Sequence, residues 1–146
     1  MTQADYKRDK VQFQGELTNL TAMMKWIVDK VNQVGFPLSD SRKIQLAMEE
    51  ALVNVIHYAY TDRVGIIEIT SFFLPQKFIK FEIVDQGKEF NPLQFSADGG
   101  IDTDLLDREE GGLGIILIKK IMDEVHYERQ NERNVLTIVK NFEMKK

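Results

Sequence analysis

The chain contains no cysteine, which excludes a disulfide framework and a zinc–thiolate site and permits a reducing compartment. With two histidines, a metal cage built from imidazoles is disfavoured. No apolar run approaches the roughly 20 residues of a membrane span. The opening residues, Met1 to Lys10, lack the apolar core of a signal peptide, so the expectation is a cytoplasmic protein that does not engage a membrane. Basic charge is scarce as well: 19 Lys and Arg stand against 23 Asp and Glu, a formal net charge of −4. This balance disfavours the broad basic surface that nonspecific nucleic-acid binding needs.

What is present is the composition of a soluble globular domain, 43% hydrophobic and 29% charged. A length of 146 residues suits one core without staples and leaves no room for a second. A single domain over 1–146 is therefore expected. Internal repeats and low-complexity tracts are absent. The segment that resists a regular reading runs from Gln86 to Gly111, rich in Gly, Asp and Glu; a stretch of that length inside a compact domain reads as a lid or binding loop.

Lys10 to Gly15 reads as a short first strand. Leu17, Leu20, Met23, Met24, Ile27, Val28, Val31 and Val34 recur at helical spacing and end at Gly35, giving a first amphipathic helix. Pro37 breaks the chain, Ser39 or Asp40 can cap a second helix, and Ile44, Met48, Ala51, Leu52, Val55 and Ala59 mark its buried stripe. Ile66 to Phe73 and Phe78 to Val84 suit a hairpin joined by Leu74 to Lys77. Beyond the loop, Leu113 to Met122 is an apolar helix that opens on glycines. Glu124 to Arg129 and Val135 to Asn141 make a final strand pair around Gln130 to Arg133. The expected class is α+β: about three helices packed as one layer on a single mixed, mostly antiparallel sheet.

Three clusters carry chemistry. Glu50, Asn54 and His57 project from one face of the second helix, away from the Met48/Val55 stripe. A carboxylate beside an amide oxygen can serve a hydrated magnesium ion, which takes few protein ligands; the carboxylate can instead act as a general base, or the face can simply be solvated. Strand alternation puts Asp85 on the side of Ile79, Phe81 and Ile83, where a carboxylate needs a donor such as the exocyclic amine of adenine. Alternatively, Asp85 and Gly87 form a plain turn at a strand end. Gly111-Gly112-Leu113-Gly114 opens a helix whose free N–H groups and dipole favour a phosphate, or it is a glycine turn into a buried helix.

In their order and spacing, Glu50-Ala51-Leu52-Val53-Asn54, Asp85-Gln86-Gly87-Lys88-Glu89-Phe90 and Gly112-Leu113-Gly114-Ile115 resemble the N, G1 and G2 boxes of the GHKL ATPases. Glu50 to Tyr60 and Met122-Asp123-Glu124-Val125 look most like the anti-sigma-factor serine/threonine kinases of bacteria within that superfamily. The resemblance implies a two-layer Bergerat-type ATP-binding sandwich with 86–111 as its lid. It further implies an ATP- and Mg-dependent kinase that phosphorylates a STAS-domain anti-anti-sigma partner, that can sequester a sigma factor, and that forms a homodimer. A nucleotide-gated protein-binding switch with little kinase activity is the alternative.

Carried over, Glu50 is the general base or orients the acceptor hydroxyl, and Asn54 holds magnesium. Asp85 accepts the adenine amine, while Gly87 allows close approach of the nucleotide. Gly112 and Gly114 meet the phosphates, with Phe90 and Leu113 inside the same nucleotide-contacting motifs. His57 either shapes the phosphate pocket or is a packed, hydrogen-bonded residue beside Tyr58 and Tyr60. The chain departs from the pattern at Glu89, which stands where a second glycine is usual and would be strained if that backbone needs a positive φ. The Gly-Thr of the last strand pair is also missing, and Asn134 or Thr137 takes its place. Near Asn19, where some relatives present an arginine to a sigma factor, this chain has Met23, Met24 and Lys25.

Overall fold

The computed structural model describes residues 6–60, 63–93 and 112–143. Its elements are β1 (Lys7–Gln14), a 3₁₀ turn (Leu17–Asn19), α1 (Leu20–Val34), α2 (Leu38–Ala59), β2 (Ile66–Leu74), β3 (Phe78–Asp85), α3 (Gly112–Ile121), β4 (Glu124–Gln130) and β5 (Arg133–Asn141). Most of the segment expected to form the lid, 94–111, lies outside the described residues.

The five strands form one sheet in the order β1-β2-β3-β5-β4. Every neighbouring pair is antiparallel, so among the described residues the sheet is wholly antiparallel rather than mixed. Period-2 alternation gives β3 one buried side, Ile79, Phe81, Ile83 and Asp85, and one half-buried side. The buried side meets Ile67, Ile69 and Phe73 of β2, Leu136 and Ile138 of β5, and the apolar stripes of the helices. α2 is central among the helices, packing against α1 on one flank and α3 on the other. Its predicted stripe, Ile44, Met48, Ala51, Leu52, Val55 and Ala59, is buried in full.

The boundaries show what local signals miss. α1 begins after a 3₁₀ turn that leaves Leu17 half exposed, and it stops at Gly35, whose φ of 96° is a left-handed cap that suits glycine. Neither Ser39 nor Asp40 caps α2. The helix starts at Leu38 behind Pro37, with no side-chain cap, and its first intrahelical bond runs from the Ser41 N–H to the Pro37 carbonyl at 2.9 Å. The β4–β5 turn is tighter than the sequence suggests: Asn131 (φ 51°) and Glu132 (φ 63°) alone make it, a two-residue hairpin turn with both central residues left-handed. Its closure fixes the register so that Asn134 lies opposite Arg129 on one side and Asp85 on the other.

Candidate functional site

Asp85 is the last residue of β3 and is 3% exposed. Its Oδ1 accepts two hydrogen bonds, from the Gly87 N–H at 2.8 Å and the Asn134 Nδ2 at 2.8 Å. Burial pushes the carboxyl above the usual carboxylate range, opposed by the Asn134 amide, the Gly87 N–H and the Arg129 guanidinium. Asn134 is a hub. Its Nδ2 also donates to the Lys88 carbonyl at 2.8 Å, and its Oδ1 accepts from Tyr127 Oη at 2.6 Å, Arg129 Nη1 at 3.1 Å and the Phe90 N–H at 3.3 Å. Arg129 also donates to the Gly87 carbonyl at 2.9 Å. Thr137, the other candidate for the missing Gly-Thr, is excluded from this cluster: alternation along β5 buries Asn134, Leu136 and Ile138 and turns Thr137 to the opposite face.

A second anchor comes from α2. Tyr60, just past the helix, accepts from the Gln86 N–H and donates to the Ile66 carbonyl, both at 2.7 Å, while the Lys88 N–H donates to the Ala59 carbonyl at 3.1 Å. Gly87 fits here for a reason the sequence did not indicate. It does not have a positive φ, but a Cβ on it would lie 2.1 Å from the Ala59 carbonyl oxygen. The close approach is made by the helix backbone, which takes the space a side chain would need. Glu89 has no positive φ either, so the strain that a missing glycine would cause there is absent.

Farther up α2, the three polar residues do not share one open face. Asn54 is 2% exposed, Glu50 is half-buried and His57 is exposed, because α3 packs over the helix between its apolar stripe and its solvent side. His57 is thus not the packed residue of one sequence reading; the Tyr58 ring lies beside it. Glu50 and Gly114 meet: an ideal Cβ on Gly114 would stand 2.5 Å from Glu50 Oε1. A carboxylate is thereby held at the first turn of α3, which starts at Gly112, where the helix dipole favours negative charge. The Asn54 Nδ2 is buried without a hydrogen-bond partner among the described residues. Phe90 stacks on Tyr58, with centroids 4.7 Å apart and planes at 20°. For Leu113 only the helical backbone is described.

α2 therefore acts as a ruler. Its Ala59 end touches the Asp85–Gly87 turn and its Glu50 turn touches Gly114, nine residues apart, which at helical rise is roughly 13 Å. The model of the histidine kinase-like ATPase domain matches residues 13–140. The chain belongs to that family. Among curated relatives, this ATPase-family chain is 36% identical over 97 residues to a serine-protein kinase RsbW from Halalkalibacterium halodurans, covering 64% of this chain and 59% of that one. It is 35% identical over 85 residues to an anti-sigma F factor from Caldanaerobacter subterraneus, covering 58% of each. The chain thus spans under two thirds of these relatives' lengths. Among solved structures, the RsbU and RsbW domains of Rv1364c from Mycobacterium tuberculosis superpose with a TM-score of 0.63 at 13% identity, over 92% of this chain and 32% of that one. At that identity the match speaks for the fold of the ATPase domain alone.

Membership in the family makes this an ATP-binding domain of the GHKL type. No helix among the described residues is long and apolar enough to cross a membrane. The structure brings Glu50 against Gly114 and Asp85 against Gly87, and it adds Tyr60, Tyr127 and Arg129, whose contacts here the sequence did not indicate. Tyr127 and Arg129 alternate with exposed His126, Glu128 and Gln130 on β4, and that alternation was the available signal. Nothing in it distinguishes a network from an ordinary half-buried strand.

Proposed function

We propose that the domain is an ATP- and magnesium-dependent serine/threonine protein kinase that phosphorylates a STAS-domain anti-anti-sigma partner and acts as an anti-sigma-type regulator. The observation that carries this reading is the α2 ruler: a buried carboxylate acceptor at one end, a carboxylate beside the α3 glycines at the other, and a buried, unpartnered amide between them. The kinase and anti-sigma names of the relatives support the reading.

In this reading adenine donates its exocyclic amine to Asp85 Oδ2, the oxygen that no donor reaches among the described residues. Asn54 fits a magnesium ligand. Amide oxygen and nitrogen are interchangeable by a flip of the side chain, so the unpartnered position can present the oxygen that the ion requires. Among the described residues no cluster of three metal-ligating side chains occurs, which suits an ion held largely by phosphate and water. When bound, magnesium neutralises charge on the triphosphate. The N–H groups of the Gly112 turn receive phosphate oxygens. The acceptor hydroxyl oxygen bonds to the γ-phosphorus as the bond to the ADP oxygen breaks, and its proton passes to the Glu50 carboxylate. A sigma factor and a second copy of the chain complete the proposed partner set.

The test is incubation with ATP, Mg²⁺ and a STAS-domain partner, followed by mass spectrometry for phosphoserine or phosphothreonine. Wild type is expected to transfer phosphate and Glu50→Gln to bind ATP without transferring it. Tight ATP binding with a nucleotide-sensitive complex but no phosphoprotein would replace the kinase by a nucleotide-gated switch. Transfer by Glu50→Gln at the wild-type rate would remove Glu50 from the base role.

A further inference from the structure

The amide of Asn134 is saturated. Its two N–H groups go to Asp85 Oδ1 and the Lys88 carbonyl, and its oxygen takes three donors from β4 and the 87–90 turn. It has no hydrogen-bonding capacity left for a nucleobase. The three donors on Oδ1 and the two acceptors on Nδ2 also demand the same orientation of the amide, so neither flip state nor rotamer is free. Resting on the nucleotide reading above, we infer that Asn134 is a positioning residue for nucleobase recognition: locked by Tyr127 and Arg129, it occupies one oxygen of Asp85 and turns the other toward the exocyclic amine of the base.

The residue that replaces the missing Gly-Thr thus serves the base through Asp85. β5 is hydrogen-bonded to β3 on one side and to β4 on the other, and Asn134 is the β5 position that faces both Asp85 and Arg129. The lock extends to the main chain. Asn134 binds the Lys88 carbonyl and Phe90 N–H, and Arg129 binds the Gly87 carbonyl, so the turn after Asp85 is fixed by the same two side chains. A base with a carbonyl in place of the amine, such as guanine or hypoxanthine, would set an acceptor against the carboxylate oxygen, which is the discrimination by an unpaired polar group that is hard to evade.

Asn134→Asp tests this with an isosteric change. The new carboxylate oxygen replaces the amide nitrogen that stands 2.8 Å from Asp85 Oδ1 and 2.8 Å from the Lys88 carbonyl, so it faces an acceptor on each side, and the two acids share a proton more readily as pH falls. Once protonated, the introduced carboxyl has a single O–H, which restores the bond to Asp85 Oδ1 and leaves the Lys88 carbonyl without its donor. The charged and titratable groups around the pair are Arg129 and Tyr127 on β4, Glu89 and Lys88 on the turn, and Tyr60 and Arg63 beyond α2; burial pushes both tyrosines up, so they stay neutral between pH 5 and 8.

Nucleotide affinity of the full chain is measured by calorimetry with ATP and with inosine triphosphate at pH 5.5 and 8. Wild type is expected to prefer ATP by more than tenfold at both values. Asn134→Asp should lose more than tenfold in ATP affinity and most of its ATP preference at pH 8, and regain at least half of the loss, in logarithmic terms, at pH 5.5. Tyr127→Phe, which frees the amide oxygen of its shortest bond, should lose about threefold to tenfold in ATP affinity while melting within a few degrees of wild type. Wild-type ATP affinity in Asn134→Asp at pH 8, or a loss unchanged by pH in a variant that melts normally, overturns the positioning role. Absence of ATP binding by wild type overturns the nucleotide reading itself, so the two failures are distinguishable.

Discussion

Gly87→Ala tests the contact between the Asp85 turn and α2. An alanine Cβ would sit 2.1 Å from the Ala59 carbonyl oxygen, 2.5 Å from its carbon and 2.8 Å from its Cβ. These atoms are helix backbone and the first side-chain atom, so they cannot swing aside. Gly87 does not occupy the left-handed region; in open space alanine would therefore stabilise the protein by about 0.4–1 kcal/mol through the unfolded chain. The collision decides the sign. Overpacking costs about 1–3 kcal/mol, and pushing the turn away from the helix loses the bond from Lys88 N–H to Ala59, worth about 1 kcal/mol. The net loss is about 1–3.5 kcal/mol, centred near 2, or a fall of about 2–14 °C in Tm for a domain of this size. Scanning calorimetry reads it, and ATP titration should show affinity falling as Asp85 shifts. Gly114→Ala is the contrast: its clash is with the far end of the long Glu50 side chain, which can rotate away, so Tm should move by no more than about 2 °C while phosphate transfer falls. A Gly87→Ala protein that melts within about 2 °C of wild type and binds ATP equally, on the scale of ordinary surface substitutions, would refute the steric reasoning.

Two further outcomes follow from buried polar groups. Because the folded pKa of Asp85 lies above its unfolded value, the folded state holds the proton more tightly, and stability falls as pH rises from about 4 through the folded pKa and is then flat. Asp85→Asn lacks that dependence and keeps an acceptor for Asn134 and Gly87, so its Tm relative to wild type should increase from pH 4.5 to 7.5 while ATP binding is lost; a decrease over that interval would contradict the assignment. Asn54→Ala removes a buried amide nitrogen that has no partner among the described residues, so urea denaturation should find stability unchanged or raised by about 1 kcal/mol, with Mg²⁺-dependent ATP affinity reduced more than tenfold. A large loss of stability would mean that the amide is satisfied in solution.

Helical and strand periodicity, together with the glycines, made the element list and the helix-on-sheet class legible from residues alone. Apolar spacing places Ile44 to Ala59 on one stripe of α2 whatever the rest of the chain does, since 3.6-residue periodicity is a property of the backbone. Alternation likewise places Asp85 inward with Ile79, Phe81 and Ile83. The motif residues Glu50, Asn54, Asp85 and Gly114 were legible because their chemistry recurs in a fixed order. Tertiary structure decided what those residues touch. That Asn54 is buried while His57 three residues later is exposed depends on α3 lying across α2, a contact between segments far apart along the chain. That Asn134 rather than Thr137 meets Asp85 depends on a hairpin turn of two residues, since a shift of one residue in register would exchange the faces of β5. The sequence by itself thus determined which groups are available and on which side of each element they lie. The packing of α3 on α2 and the register of β5 between β3 and β4 determined their partners, because hydrogen bonding and burial act between neighbours in space and local sequence encodes only neighbours along the chain.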